Sequence, residues 1–405
     1  MSIRKLLTNG NAFRRTDNRW GGVVWYMDEQ GERKRKSFSG TTKAEVNKKI
    51  TEYIAVFNDS IIESQETKKK LKDSMQNWLE VFKFPSVERT TYDRYECTAK
   101  NQIYPYIGDK VVGDIKSADI KKLLNDKMNE GYAYTTVKKV HNVLNEYFHY
   151  LTQQEYIDRN PMISAPMIKK SNFMAAQDKE NLPTSETITV FTPEEIKIFK
   201  DEAFSTFSNG KRKYQQAAAY ILMLNTGLRT GEVLGLLNSD IDIENRVMHL
   251  NRGVKEISKR DGVTAEKGRE VKVGKLKSAT SKRDVPLNDI AIEMILDLRK
   301  EFYYGEGSPL IPDENGNFTR PVNFRKRYYR ILKAAGIETK GLHSLRHTFA
   351  TNLVNGIKQA DGSIKALTPR QVADLLGHKT SEITELYYVK RDLTKLNGIT
   401  DGFEL

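Results

Sequence analysis

The sequence predicts a multidomain protein with three units: a small α+β N-terminal unit with a three-stranded sheet, an all-α unit, and a mainly α unit with a small antiparallel β-sheet. The chain has 405 residues, more than one ordinary domain contains. Strand-like runs separated by turn clusters fill the first 40 residues, and helical periodicity dominates from residue 70 onward. A second strand-rich stretch, from Val247 to Pro286, interrupts that helical pattern.

The balance of charge favours a polyanionic partner. Lys and Arg outnumber Asp and Glu by 66 to 53, which gives a formal net charge of +13, and the sequence pI is near 9.4. An excess of this size is typical of proteins that bind nucleic acid or an acidic membrane surface. Charge alone does not distinguish DNA from RNA or from lipid.

The sequence also indicates where the protein resides. No window approaches the roughly 18 consecutive apolar residues of a membrane helix, and the segment MSIRKLLTNG lacks the apolar stretch and cleavage site of a signal peptide. Cys97 is the single cysteine, which excludes an internal disulfide framework and a cysteine-based zinc cluster. We therefore expect a soluble protein of the cytoplasm.

Residues 1–65 predict the small α+β unit. Turn clusters at 16–18 and 28–31 separate three strand-like runs, and apolar residues from Val46 to Phe57 follow the helical period. Side chains alternate along a strand, so the third run cannot be buried, because its basic residues occupy both faces: Arg33, Lys34, Arg35 and Lys36. The run is either an edge strand that its charges protect from aggregation or part of a basic sheet that binds DNA. The second interpretation requires that the rest of the chain bind DNA.

Residues 66–162 predict the all-α unit. Its clearest helix runs from Tyr134 to Gln153, where an apolar stripe leaves Lys138 and Lys139 on the outer face. The unit shows no catalytic constellation and is interpreted as a structural module or as part of a DNA clamp. Residues 163–189 contain two prolines and no periodicity, which predicts a linker. The third unit, 190–392, begins with a capping box at Thr192 to Glu195, and residues 393–405 form a tail.

Two segments of the third unit carry basic residues beside a turn. In LNTGLRTGEVLGLLNSDID, Gly227 ends an apolar helix just before Arg229, and the carboxylate of Glu232 lies where it can orient the guanidinium. In GKLKSATSKRDVPL we expect a basic hairpin with small polar residues at its tip, 278–281, and with Lys277 at the end of the incoming strand. Alone, the first segment also fits a surface ion pair and the second a solvated loop.

The segment HSLRHTFAT places His343, Arg346 and His347 in the first turns of a predicted helix. His343 and Arg346 share one helix face. A zinc site would need a third ligand and usually an acidic residue between the two histidines, whereas Ser, Leu and Arg lie between them. We therefore expect no metal here, and His347 is interpreted as structural.

The segment VADLLGHKTSEITELYYVKRD adds His378 and the adjacent Tyr387 and Tyr388. An aromatic helix face packed on the core is the alternative interpretation of the tyrosines.

Together these side chains suit chemistry at a phosphodiester. Arginine forks bind phosphate oxygens in pairs and stabilise the extra charge of a five-coordinate phosphorus. A tyrosine can act as the nucleophile, and because its pKa is about 10, a histidine or the cationic pocket must help to remove its proton. A lysine can protonate the departing ribose oxygen. This chemistry requires no metal or nucleotide cofactor.

The four segments, in this order, resemble the motifs of the tyrosine recombinases, also called phage-type integrases. TGLRTGEVLGL is similar to the first arginine box with Arg229, and HSLRHTFAT to the His-x-x-Arg box with His343 and Arg346. LLGHKTSEITELYY is similar to the Leu-Gly-His box, where the tyrosine nine residues after His378 is Tyr387. Lys277 stands nine residues before Pro286, as the hairpin lysine does in many members. Many relatives carry tryptophan where this chain has Asn238, a departure that concerns local packing.

The resemblance implies a DNA strand transferase that integrates and excises a mobile element. The tyrosine attacks the scissile phosphate, forms a 3′-phosphotyrosine and frees a 5′-hydroxyl that later attacks the exchanged strand, so religation needs no ATP. The implied catalytic residues are Arg229, Lys277, His343, Arg346, His378 and the nucleophile Tyr387, with Glu232 in support.

The resemblance also implies roles for the units. Residues 1–65 resemble the arm-type DNA-binding domain of integrases from temperate phages and conjugative transposons, with residues 33–36 as DNA contacts. Residues 66–162 resemble the helical, SAM-like core-binding domain that closes a clamp on DNA, with Lys138 and Lys139 as contacts, and 190–392 resemble the catalytic domain. The tail would contact a neighbouring protomer. The implied partners are double-stranded DNA at core and arm sites, a homotetramer on paired sites, and an excisionase or DNA-bending accessory protein in a bacterial cytoplasm.

Two other functions remain open at this point. A type IB topoisomerase-like enzyme would use the same chemistry without a recombination partner, and an architectural DNA-binding protein would carry the same residues in an inert form. The sequence also leaves open whether His343 or His378 takes the proton of the tyrosine, and whether Tyr388 has a role.

Overall fold

A computed structural model describes residues 5–28, 31–175, 189–276, 282–358, 363–378 and 380. The chain divides into two compact units, Met1–Asn181 and Leu182–Leu405. Both combine helices with small antiparallel sheets. Within the described ranges, no helix is long and apolar enough to cross a membrane.

The first unit opens with an antiparallel sheet of four strands: β1 (Lys5–Leu6), β2 (Asn11–Arg14), β3 (Trp20–Met27) and β4 (Arg33–Gly40). Strand β3 pairs with β4 along its whole length, whereas β1 and β2 pair with its two ends. Each strand has only two edges, so β1 and β2 must share one edge of β3. The sheet has one strand more than predicted but is three strands wide.

Helix α1 (Lys43–Lys68) packs on this sheet and extends beyond the predicted segment. The hydroxyl of Thr42 accepts a hydrogen bond from the backbone N–H of Glu45 and so caps its first turn. Val24 of β3 and Val46 and Ile50 of α1 form the buried core. The apolar stripe becomes irregular after Phe57, but neither Gly nor Pro follows before residue 68, and nothing in the sequence therefore stops the helix.

The remaining helices of this unit form a bundle: α2 (Leu71–Trp78), α3 (Arg89–Thr98), α4 (Tyr104–Ile107), α5 (Ser117–Asn129), α6 (Tyr134–Gln153) and α7 (Lys170–Ala175). π-helical turns at Leu79–Lys83 and Ala99–Ile103 follow α2 and α3, and 3₁₀ turns occur at Val112–Asp114 and Pro161–Ser164. The predicted apolar stripe of α6 is buried, and Lys138 and Lys139 are exposed. Helix α7 lies inside the predicted linker, where the sequence indicated no helix.

The second unit contains seven helices and seven strands within the described residues. In chain order they are α8 (Pro193–Ala203), α9 (Ala217–Thr226), α10 (Thr230–Val233), β5 (Ile241–Asp242), β6 (Val247–Leu250), β7 (Arg252–Asp261), β8 (Thr264–Lys275), β9 (Arg283–Pro286), α11 (Asp289–Phe302), α12 (Pro321–Ala334), α13 (His343–Asn355), β10 (Ile357–Lys358), β11 (Ile364–Lys365) and α14 (Pro369–Leu376). Helix α9 is buried at every residue except Asn225, so it is the central element of the core. The predicted capping box is present, because the Thr192 hydroxyl accepts from Glu195 N–H and the Glu195 carboxylate accepts from Thr192 N–H.

The predicted tip at 278–281 lies outside the described residues, but the prediction that the strands on either side of it pair as a hairpin is wrong. Strand β8 pairs with β7, whereas β9 pairs with β6 in a three-stranded sheet of order β5-β6-β9. The segment after β8 therefore connects two sheets. The true hairpin joins β7 to β8 at Asp261-Gly262, where Gly262 has a φ of +55° and Asp261 pairs with Thr264. The loop is therefore residues 262–263, and a glycine with positive φ at its first position suits a tight hairpin.

Candidate active site

Arg346 lies in the first turns of α13 and ties together the ends of two other helices. Its Nη1 donates to the carbonyl oxygen of Gly227 and its Nη2 to that of Leu376, both at 2.8 Å. The Gly227 carbonyl lies just after α9 and the Leu376 carbonyl lies in the last residue of α14. The C-terminal end of a helix is the negative end of its dipole, so a cation is stabilised there. The residue is only 1% exposed, so the contacts hold the guanidinium in a fixed position.

Gly227 is required at the end of α9 for two reasons. Its φ is +64°, in the left-handed region where a side chain is strained. A Cβ atom at this position would also lie 2.5 Å from Cδ1 of Phe349 and 2.7 Å from Cδ2 of Leu376. The turn allows the chain to leave the buried helix and to bring Arg229 beside Arg346.

The predicted pair of Arg229 and Glu232 is present. Arg229 Nη1 lies 2.7 Å from Oε1 of Glu232, and the Arg229 backbone N–H donates to Oε2 at 2.9 Å. The carboxylate is 3% exposed and the Arg229 side chain is 36% exposed. Thus a buried acid holds an arginine that still reaches the surface.

Arg283 on β9 is a residue that the sequence reasoning missed. Its guanidinium contacts Glu232, with Nη2 3.2 Å from Oε2, and its Nε donates to the carbonyl oxygen of Leu375 at 2.8 Å. Burial raises the pKa of Glu232, but Arg283 and then Arg229 outweigh this effect, so that the pKa lies below its usual value. Strand alternation was the available signal, since Arg283 lies on the same face as Val285, which is buried.

Three histidines surround the arginines: His343, His347 and His378. The rings of His343 and His347 meet edge to face with centroids 4.6 Å apart. Burial lowers the pKa of each of the three to about 4. The next contribution comes from His347 and then Arg346 at His343, and from Arg346 at His347 and His378. They are therefore neutral at pH 7 and able to accept a proton. His378 follows Gly377, a left-handed residue with a φ of +66° that caps α14.

Lys277, Tyr387 and Tyr388 lie outside the described residues, as does the tail 393–405. The structure thus brings together Arg229, Glu232, His343, Arg346 and His378, and adds Arg283. The resulting cluster has several guanidiniums, a single buried carboxylate and neutral imidazoles among its described residues. Such a set of groups can bind a phosphate dianion or monoanion and accept a proton beside it.

The basic residues that are predicted to contact arm-site DNA lie on strand β4 of the first unit. Val24 and Tyr26 of β3 point toward α1, so their partners on β4, Lys36 and Lys34, share that side of the sheet. Arg33 and Arg35 are on the opposite side, where their guanidinium carbons lie 4.5 Å and 5.9 Å from the ring centroid of Trp25. Lys34 is paired with Asp28 at 2.5 Å.

The open face of the sheet therefore carries two of the four predicted basic residues together with one tryptophan.

Asn238, the position that departs from the resembled pattern, is 1% exposed and fully engaged. Its Nδ2 donates to Oγ of Ser308 at 3.0 Å, and its Oδ1 accepts from Nε of Arg299 at 3.2 Å. A polar network thus occupies this part of the core.

Comparison with known proteins shows which family the chain resembles along its length. Residues 190–393 match the phage integrase family, and residues 70–128 match the N-terminal SAM-like domain of phage integrases. A XerC-like tyrosine recombinase of Caldanaerobacter subterraneus subsp. tengcongensis is 29% identical over 379 residues, 89% of each chain. The transposase of transposon Tn916 from Enterococcus faecalis is 25% identical over 299 residues, 70% of this chain and 65% of the transposase.

The fold is also similar to a solved structure, that of the Tn1549 transposon integrase in complex with transposon right end DNA. The TM-score is 0.62 and the identity 19%, over 82% of this chain and 99% of the other. The family match covers half of the chain and includes all four sequence motifs, which confirms the resemblance. The protein belongs to the phage integrase family, the tyrosine recombinases.

Proposed function

We propose that this protein is a site-specific DNA recombinase that integrates and excises a mobile element. The observation that carries the proposal is the buried Arg346, which joins the turn before Arg229 to the segment before His378. Arginines fixed in advance at a phosphate are suited to stabilising the charge that develops in phosphoryl transfer. The similarity to the Tn916 transposase supports a mobile element as the substrate.

The proposed reaction has two balanced steps. The phenolic oxygen of Tyr387 attacks the scissile phosphorus, a 3′-phosphotyrosine forms, and the bond to the 5′ oxygen breaks. His343 or His378 accepts the phenolic proton, since both are neutral at pH 7, and Lys277 protonates the departing 5′ oxygen. In the second step the 5′-hydroxyl of the partner strand displaces the tyrosine, so the phosphodiester is remade without ATP. The cations are side chains, and the proposal therefore includes no metal.

The units of the chain would divide the binding of DNA. Residues 1–65 would bind arm-type sites, 66–162 would close on the core site, 163–189 would link them to the catalytic domain at 190–392, and 393–405 would contact a neighbouring protomer. For arm sites we assign DNA contact to Arg33 and Arg35, which lie with Trp25 on the open face of the sheet. Lys138 and Lys139 are exposed on α6 and are the corresponding candidates for the core site.

We further propose that the protein assembles as a homotetramer on two paired DNA sites, with an excisionase or a DNA-bending protein as an accessory factor. The protein would act in the cytoplasm, associated with DNA.

A plasmid assay separates this function from its alternatives. A supercoiled plasmid that carries two copies of the joined element ends is incubated with the full-length protein in the presence of EDTA. Recombination would give two products of defined length. Relaxation of a plasmid without these sites would instead identify a topoisomerase-like enzyme, and binding without any strand cleavage would identify an architectural protein.

A further inference from the structure

Arg283 lies where three elements of the site meet. Its guanidinium contacts both carboxylate oxygens of Glu232, with Nη1 3.3 Å from Oε1 and Nη2 3.2 Å from Oε2. Its Nε donates to the carbonyl oxygen of Leu375 at 2.8 Å. One side chain therefore joins strand β9 to the carboxylate behind Arg229 and to the last turn of α14.

The contact with Glu232 alters the charge available to a phosphate. The buried carboxylate lies 2.7 Å from Nη1 of Arg229, and without another cation it would offset most of the charge of that arginine. Arg283, whose side chain is 8% exposed, shares the carboxylate. The group of three residues therefore keeps a net positive charge, and Arg229 is held without being neutralised.

The contact with Leu375 concerns the end of α14. The last carbonyls of a helix have no partner within the helix. Here two neighbouring carbonyls are satisfied by arginines, Leu375 by Nε of Arg283 and Leu376 by Nη2 of Arg346, both at 2.8 Å. The chain then turns at Gly377 and reaches His378. The two arginines thus set the direction in which this histidine leaves the helix.

We propose that Arg283 is a positioning residue for DNA cleavage, which shares the charge of Glu232 with Arg229 and holds the end of α14 that carries His378. This inference rests on the proposed function, because its measure is the rate of cleavage. A change at Arg283 should slow cleavage and leave the affinity for DNA unchanged, since its side chain is almost fully buried.

A nicked duplex that carries the element's end measures cleavage in a single turnover. Cleavage releases a short fragment that diffuses away, so the covalent adduct accumulates and its rate can be followed by gel. In the full-length protein, Arg283→Met should lower this rate by about 10- to 100-fold, the loss expected when reacting groups are displaced by about 1 Å. Arg283→Lys should be intermediate, because one ammonium group cannot serve Glu232 and the Leu375 carbonyl as a planar fork does.

A matched control is available on β7. Arg252 pairs with Asp240, and the two side chains are 26% and 6% exposed. Arg252→Met therefore also breaks a largely buried ion pair of the same unit, but one whose two members are not among the site residues. It should leave the adduct rate close to that of the wild type.

A second comparison tests the shared charge. In Arg283→Met the carboxylate of Glu232 is left to Arg229 alone, so adding Glu232→Gln should raise the adduct rate above that of Arg283→Met. A wild-type rate in Arg283→Met, an equal loss in Arg252→Met, or a double variant no faster than Arg283→Met would overturn the inference. If the wild-type protein itself forms no adduct, the proposed function fails, and this inference fails with it.

Discussion

Substitution of Arg346 by lysine should destabilise the second unit by an amount that follows from its contacts. Lysine keeps the charge but replaces a planar fork with one ammonium group. That group can serve either the Gly227 carbonyl or the Leu376 carbonyl, which both now accept at 2.8 Å from a residue that is 1% exposed. A hydrogen bond from a charged group contributes about 1.5–3 kcal/mol. We expect the free energy of unfolding to fall by about the same amount.

Hydrogen exchange is the suitable assay. All three tryptophans, Trp20, Trp25 and Trp78, lie in the first unit, so their fluorescence does not follow unfolding of the second. The most protected amides of α9 and α13 report the stability of the second unit. A loss of about 1.5–3 kcal/mol should reduce their protection by about 10- to 150-fold.

Arg325→Lys serves as the control, because Arg325 is exposed on α12 and surface substitutions usually change stability by no more than about 0.5 kcal/mol. Unchanged protection of α9 and α13 in Arg346→Lys would refute the view that these two hydrogen bonds hold the site together.

Three further predictions concern the core, the histidines and the sheet. Asn238→Ala should lower the free energy of unfolding of the second unit by about 1–3 kcal/mol, as measured by the same hydrogen exchange, because buried partners of the amide lose their hydrogen bonds. The three site histidines have a pKa of about 4 in the folded protein, against an ordinary value of 6.5 that applies to the unfolded chain. The unfolded chain therefore binds more protons between these values, so stability to urea should fall as the pH drops from about 7 to about 5 and stay level above about 7; a flat profile would contradict this. Replacing Arg33 and Arg35 by alanine should weaken arm-site binding and reduce its salt slope by about 2, whereas Lys34→Ala should have less effect, as measured by fluorescence anisotropy.

Patterns between residues close in sequence predicted much of the protein. The apolar stripe of α6, the capping box of α8 and the pair of Arg229 and Glu232 all depend on spacings of three or four residues, which the helix geometry fixes. The four motifs identified the family, because each is a short, continuous segment.

Contacts between distant residues could not be predicted in this way. Arg283 reaches Glu232 across 51 positions and Leu375 across 92. Alternation along β9 indicates that Arg283 faces inward, but no local pattern names its partners. The same reason explains Asn238, whose partners Ser308 and Arg299 are more than sixty positions away.

Strand pairing was the least predictable feature. Small polar residues between two strand-like runs suggest a hairpin at 278–281, yet the two strands belong to different sheets. Strand β9 pairs with β6 and strand β8 with β7, and no local pattern in the sequence names these partners. The short strand β1 has only two residues and carries no periodic signal.

The most direct test of the central claim is to map the covalent adduct. The protein is incubated with the nicked duplex, digested, and analysed by mass spectrometry, with Tyr387→Phe and Tyr388→Phe as paired variants. The account predicts a DNA adduct on Tyr387 that persists in Tyr388→Phe and is lost in Tyr387→Phe. Tight binding of DNA with no adduct on any tyrosine would contradict it and would identify an architectural DNA-binding protein.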